Sequence, residues 1–333
     1  MLTAILLSLA GLVGLAIGGE LLVRGAVGIA FKLGLSTLFT GLVIVGAATS
    51  MPEMVASVEA ALQGSPEIAW GNIVGSNLAN TLLILGVSAL VAPILLVGTG
   101  RRDAVVALGA TVLLWALVLS QWGARWIGIA LLAGIVAYIV WRYMHPGGAV
   151  VEAEEDKEEG PDNIWVASGF FLAGLAALVL GGQALVTGAI DLARIFSVPE
   201  TVIGLTIVAV GTSLPELAAS VAAALRGKSG LAIGNVVGSN IYNILLIGGA
   251  TMTIAPTALP SELGGLQMAL LTSSAVMLLG LLWFADRIGR WLGAALLIAF
   301  IANVVLVFAA PDAAASQDID VEEIADEVEQ SAA

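Results

Sequence analysis

Residues 41–86 recur without a gap at residues 204–249, an offset of 163 (204 − 41), with 27 identities in 46 aligned pairs. Thr49-Ser50-Met51-Pro52-Glu53 returns as Thr212-Ser213-Leu214-Pro215-Glu216. Gly71-Asn72-Ile73-Val74-Gly75-Ser76-Asn77 returns as Gly234-Asn235-Val236-Val237-Gly238-Ser239-Asn240. The register reaches back to Gly18-Gly19 against Gly181-Gly182. Most shared residues are polar, Gly or Pro, set inside apolar runs where such residues are costly. A duplicated polar patch in a greasy chain is the signature of a transporter built from two halves.

The chain is 59% hydrophobic and 11% charged, with mean hydropathy +1.04. That much apolar surface needs a bilayer as its solvent. A span of about 30 Å of hydrocarbon takes roughly 20 helical residues. Stretches of that kind lie near 3–29, 36–62, 69–91, 102–120, 125–143, 163–192, 199–225, 231–254, 262–284 and 288–309. The pattern therefore predicts an all-α polytopic membrane protein of about ten transmembrane helices, without the alternating pattern of a β-barrel. The first segment contains Glu20 and Arg24, lacks a basic leader and has a partner in the second half. It is expected to be a retained helix rather than a signal peptide.

With no cysteine and the single histidine, His145, in a predicted loop, thiol catalysis, Ser–His hydrolysis and histidine metal clusters have no residues to use. The formal charge of −13 divides unevenly: 15 of the 25 acids lie in residues 152–162 and 312–329. These read as a solvated linker and tail, without the ligand spacing of a calcium loop. The expected organisation is a first five-helix repeat (1–146), an acidic linker (147–162), a second repeat (163–309) and an acidic tail (310–333).

Lys32, Arg101, Arg102, Arg142, Lys157, Arg226, Lys228, Arg287 and Arg290 fall on one side of the ten-helix arrangement, against Arg125 and Arg194 on the other. That bias places the first group, and the linker, in the cytoplasm, with both termini outside. Five helices per half is an odd number, so the two repeats have inverted topology.

Glu53 and Glu216 fall near the middles of the second and seventh helices. An ionised carboxylate at that depth costs at least a few kcal/mol and marks a functional site. Each follows a proline, Pro52 or Pro215, which removes an N–H and forces a kink or an unwound turn. Carbonyls freed there are tolerated in hydrocarbon only where they line a cavity or bind something. On the next helix, Asn72, Ser76 and Asn80, like Asn235, Ser239 and Asn243 in the other half, recur every fourth residue and share one helix face. Asn77 and Asn240 read as scaffolding, and the glycines among these residues allow close packing. Two carboxylates, hydroxyls, amide oxygens and freed carbonyls make an all-oxygen donor set, which suits Ca²⁺ foremost and Na⁺ beside it.

Through Gly211-Thr212-Ser213-Leu214-Pro215-Glu216 and the doubled Gly-Asn-x-x-Gly-Ser-Asn, the chain resembles the sodium/calcium exchanger branch of the cation/Ca²⁺ antiporters, prokaryotic type. The resemblance covers roughly residues 3–309. It implies that Glu53 and Glu216, with the carbonyls of Thr49 and Thr212, hold Ca²⁺. It further implies that Ser50, Ser76, Ser213 and Ser239, with the carbonyls of Gly46 and Ala209, complete flanking Na⁺ sites, and that Asn80 and Asn243 take the remaining polar positions. Ala48 departs from the family glycine, and Asn243 stands where some relatives carry aspartate, which disfavours K⁺ coupling.

The implied function is Na⁺/Ca²⁺ antiport by alternating access, electrogenic at the family's usual 3 Na⁺ to 1 Ca²⁺, with the ions as substrates and no resident cofactor. The empty site would carry two negative charges in low dielectric, a costly form to move, so only loaded forms should switch. The first and sixth helices are candidates to slide across the core. An H⁺/Ca²⁺ or other divalent-cation antiporter is the nearest alternative, a cation channel a further one, and an enzyme is not expected. Apart from the bilayer no obligatory partner is evident, and nucleic acid is not expected.

Overall fold

The computed structural model describes residues 1–64, 66–96, 100–145, 161, 163–196, 209–256 and 259–309. Nearly all of the acidic linker, all of the acidic tail, and residues 199–208 of the expected seventh span lie outside the described residues. The chain runs through α1 (Leu2–Leu33), α2 (Thr37–Thr49), α3 (Met51–Leu62), α4 (Ile68–Val91), α5 (Arg101–Ser120) and α6 (Arg125–Met144). It continues through α7 (Ile164–Ile195), α8 (Leu214–Leu225), α9 (Ser229–Ile254), α10 (Leu266–Phe284) and α11 (Arg290–Ala309). A helical turn, Ala209–Gly211, precedes α8.

Among the described residues, seven helices are long and apolar enough to cross a membrane, or eight if the bent pair α2–α3 is one span. The repeat register carries into the helices: α3 begins at 51 and α8 at 214 (51 + 163), and they end at 62 and 225 (62 + 163). The span expected near 199–225 is seen only from 209 onward. Between α4 and α5, β1 (Ile94–Leu95) pairs antiparallel with β2 (Arg287–Ile288), in the register Ile94↔Ile288. This two-strand clip joins the loop after α4 to the loop before α11.

The apolar interior falls into two clusters. The larger is built on α4, α5, α6, α9 and α10 around Trp70, Leu114 and Ile241. The smaller joins α1, α7 and α8 through Leu22, Leu178 and Ala219. Helices α1 and α7 pack along most of their length, because glycines bring their backbones together. A Cβ on Gly18 would lie 2.8 Å from the backbone N of Leu178, and one on Gly181 2.9 Å from that of Leu15. The pair leans to one side: among the described residues, α1 packs along α8, whereas α7 makes no comparable packing on α3.

Candidate functional site

The expected proline break is present. Helices α2 and α3 meet at 43°, with Pro52 in the first turn of α3. Ser50 at the joint has φ −80° and ψ 4°, and Ser213 before α8 has φ −87° and ψ 5°. Both sit in the sparsely populated bridge region that active-site residues favour. Helices α4 and α9 each contain a π turn, Ala79–Ile84 and Asn243–Ile247, which end at matching positions (84 + 163 = 247). A third, Thr40–Val45, precedes Gly46. Such wide turns are rare and collect at functional sites. Nothing in the residue pattern announced them.

The breaks and the wide turns interlock across the halves: α3 packs on the π turn of α9, and α8 packs on the π turn of α4. Asn80 and Asn243, within those turns, are thereby set beside the broken helix of the opposite half. Glu53, Glu216, Thr49, Ser50, Ser213, Ser76, Ser239, Asn80 and Asn243 are all buried. Ser213 Oγ donates to Glu53 Oε1 across the halves at 3.2 Å. Glu216 is 2% exposed and Glu53 1%. The Thr49 hydroxyl lies 3.1 Å from Val45 O and 3.3 Å from Asn235 Oδ1, and its single proton is shared between these two acceptors. Gly46 is packed so closely on α9 that a Cβ there would lie 3.3 Å from the backbone N of Ser239. Ala209 contributes backbone to the turn before Ser213.

Several buried polar atoms here have no partner within the protein: the oxygens Glu53 Oε2, Glu216 Oε2, Ser50 Oγ, Thr212 Oγ1, Ser239 Oγ, Asn80 Oδ1 and Asn243 Oδ1, and the amide nitrogens of Asn80 and Asn243. Leaving a buried polar atom unpaired costs about 1–3 kcal/mol, and each such group calls for an explanation such as a bound ion or water. No group of three or more His, Cys, Asp or Glu occurs among the described residues. The cluster is two carboxyls embedded in neutral oxygen donors, the make-up of a weakly charged hard-cation site.

The structure divides the polar stripe of the Gly-Asn-x-x-Gly-Ser-Asn segments. Asn72 and Asn235 do not leave their amides free: each spends its Nδ2 on the helix carrying the glutamate. Asn77 Nδ2 donates to Ile73 O at 2.7 Å, and Asn240 Nδ2 to Thr81 Oγ1 at 2.9 Å, while the Oδ1 atoms of both have no partner. Ser57 and Ser220, identical under the offset and buried, were passed over. Their clue was position, one helical turn after each glutamate.

Residues 3–144 and 166–309 match the sodium/calcium exchanger protein family. The chain belongs to that family. This exchanger-family protein is 37% identical to a putative antiporter, CaxA, of Alkalimonas amylolytica, over 92% of the chain and 99% of the relative. It is 32% identical to the sodium/calcium exchanger MaX1 of Methanosarcina acetivorans, over 91% and 98%. The fold of the sodium-calcium exchanger NCX_Mj superimposes with a TM-score of 0.79 at 29% identity, covering 92% of this chain and 99% of that one. The exchanger-family protein is thus a multi-pass membrane transporter of antiporter type.

Proposed function

We propose that the protein exchanges Na⁺ for Ca²⁺ across the cell membrane by alternating access, electrogenically at about 3 Na⁺ to 1 Ca²⁺. The observation that carries this reading is the cluster of unpartnered oxygens around Glu53 and Glu216. In this reading Ca²⁺ sits between the two carboxylates and the carbonyls of Thr49 and Thr212. Ser50, Ser76, Ser213 and Ser239, with the carbonyls of Gly46 and Ala209, take Na⁺ on either side, and Asn80 and Asn243 close the centre. One Ca²⁺ or two Na⁺ would neutralise the carboxylates, and a third Na⁺ would make the step carry charge.

The loop charges put Arg101, Arg102, Arg226, Lys228, Arg287 and Arg290 in the cytoplasm, both termini outside, and the two five-helix halves in opposite orientations. With that sidedness, the α1–α7 pair covers the inward-running α8. A cavity of about 340 Å³, lined by Met54, Val55, Val58, Glu59, Leu62, Ala250 and Ile254, lies beside the outer part of α3. In this reading, sliding of α1–α7 from α8 to α3 would switch the side from which the ions are reached.

The test is ⁴⁵Ca²⁺ uptake by proteoliposomes loaded with Na⁺, against liposomes without a Na⁺ gradient. Uptake that follows the Na⁺ gradient and responds to membrane potential is the expected result. Uptake driven by a proton gradient with no Na⁺ present would replace the reading with H⁺/Ca²⁺ exchange, and an ohmic cation conductance would replace it with a channel.

A further inference from the structure

We infer that Asn72 and Asn235 are positioning residues that set the size of the cation cage, and that Asn235 carries more of the task. The inference rests on the proposed exchange at Glu53 and Glu216. Asn72 Nδ2 donates to the backbone oxygen of Glu53 at 3.3 Å and to Ser57 Oγ at 2.9 Å. Asn235 Nδ2 donates to the backbone oxygen of Glu216 at 3.2 Å and to Ser220 Oγ at 2.9 Å. The two clamps correspond member by member: 72, 53 and 57 each plus 163 give 235, 216 and 220.

Each clamp joins the first turn after the proline break to the following helix. Such a turn lacks the usual support from the preceding one, because Pro52 or Pro215 donates no hydrogen bond. Two anchor points one helical turn apart, at the glutamate and at the serine four residues on, oppose both rotation and sliding of α3 on α4, and of α8 on α9. The same asparagines stand four and eight residues before the other oxygen donors, Ser76 and Asn80 or Ser239 and Asn243. One amide therefore fixes the distance between a carboxylate on one helix and the hydroxyl and amide oxygens on the next. That distance decides which ion fits, since Ca²⁺, Na⁺ and Sr²⁺ differ in preferred oxygen spacing and ligand number.

The two clamps differ in one respect. Asn235 Oδ1 also accepts from Thr49 Oγ1 at 3.3 Å, so it holds the first half of the site as well as the second. Thr212 Oγ1, the counterpart of Thr49 (49 + 163), is unpartnered. Asn235 thus links three segments: α8, its own helix α9, and the end of α2.

The experiment measures Na⁺-driven ⁴⁵Ca²⁺ uptake in proteoliposomes for the wild type, Asn72→Ala, Asn235→Ala, Ser57→Ala and Ser220→Ala, normalised to monodisperse protein, with Sr²⁺ as competitor. Asn235→Ala is expected to raise the KM for Ca²⁺ about tenfold, equivalent to roughly 1.4 kcal/mol. It should also change the Ca²⁺/Sr²⁺ preference. Asn72→Ala is expected to raise KM about threefold, and the serine variants two- to threefold, consistent with one hydrogen bond each. A role in folding alone would lower the yield of folded protein or kcat, leaving KM and ion preference where they are. That result overturns the inference, as does an Asn72→Ala effect equal to or above that of Asn235→Ala. Should Asn235→Ala fail to fold, the serine variants decide: a raised KM with altered preference supports the clamp, and an unchanged KM refutes it. A wild type that does not exchange Na⁺ for Ca²⁺ would instead remove the functional reading beneath it.

Discussion

Glu20, on α1, is held by Arg226, the residue that caps the C-terminal end of α8. Arg226 Nε lies 2.7 Å from Glu20 Oε2, and Arg226 Nη2 bonds Glu20 Oε1. Arg24, one turn on, shares the same carboxylate. Under the repeat offset the counterparts are Gln183 (20 + 163) and Gln63 (226 − 163), a neutral pair. The ionic contact therefore favours α1 on α8 with no equal rival on the other side. The Glu20 side chain is 40% exposed, so the pair is worth at most about 1 kcal/mol. Glu20→Gln is expected to raise amide hydrogen exchange in α8 up to about fivefold as α1 leaves it more often. Unchanged protection in 214–225 would show that the pair does not bias the two positions.

Substituting Glu53→Gln or Glu216→Gln keeps shape and removes one of two charges. Ca²⁺ then lacks the negative charge that offsets its dehydration. Each variant is expected to insert and remain monodisperse with Na⁺-driven uptake reduced at least about a hundredfold, a loss of roughly 2.7 kcal/mol or more. Near-normal uptake by both variants would falsify the central-site assignment.

Protons and cations compete for the same carboxylates, and only the deprotonated forms bind metal. Uptake at low Ca²⁺ should therefore fall on acidification from about pH 8 to about pH 6, as an increase in KM that added Ca²⁺ reverses. A faster Na⁺-driven flux at the acidic end contradicts this account.

Stability should be most sensitive away from the cluster. Asp103 and Arg142 are buried and joined at 2.7 Å, and Tyr138 Oη donates to the same carboxylate oxygen at 2.9 Å. Arg142 also donates to His145 O at 3.0 Å. Removing one partner strands the other charge, so Arg142→Met is expected to cost about 3–5 kcal/mol in detergent unfolding. The double variant Asp103→Leu with Arg142→Met should recover most of that loss. A single variant as stable as the wild type would contradict the account.

The polar inventory of the site was legible because a membrane chain makes each buried polar residue conspicuous, and the duplication makes it conspicuous twice. Pro52 gave the 43° bend directly, since proline acts through the backbone wherever it stands. The division of labour along the asparagine stripe was not legible. Periodicity places Asn72 and Asn80 on one face, but only packing decides that one amide turns to the neighbouring helix and the other into the cluster. The π turns escaped for a similar reason: a widened turn comes from how two helices meet, and Ala79–Ile84 has no residue that demands it. The pair Asp103–Arg142 was also missed. Arg142 reads as a cytoplasmic flank from its position, and its partner lies 39 residues away.

The bonds that cross between the halves carry a consequence for how this molecule is made. Ser213, the hydroxyl that meets Glu53, follows it by 160 residues, and Asn235 follows Thr49 by 186. At about 5–20 residues per second, a ribosome needs roughly 10–30 s to reach the first of these partners. Throughout that interval the nascent amino-terminal half holds a carboxyl-bearing broken helix whose hydroxyl partner does not yet exist. Glu53 therefore passes through a stage of biogenesis without the hydroxyl that meets it in the folded protein.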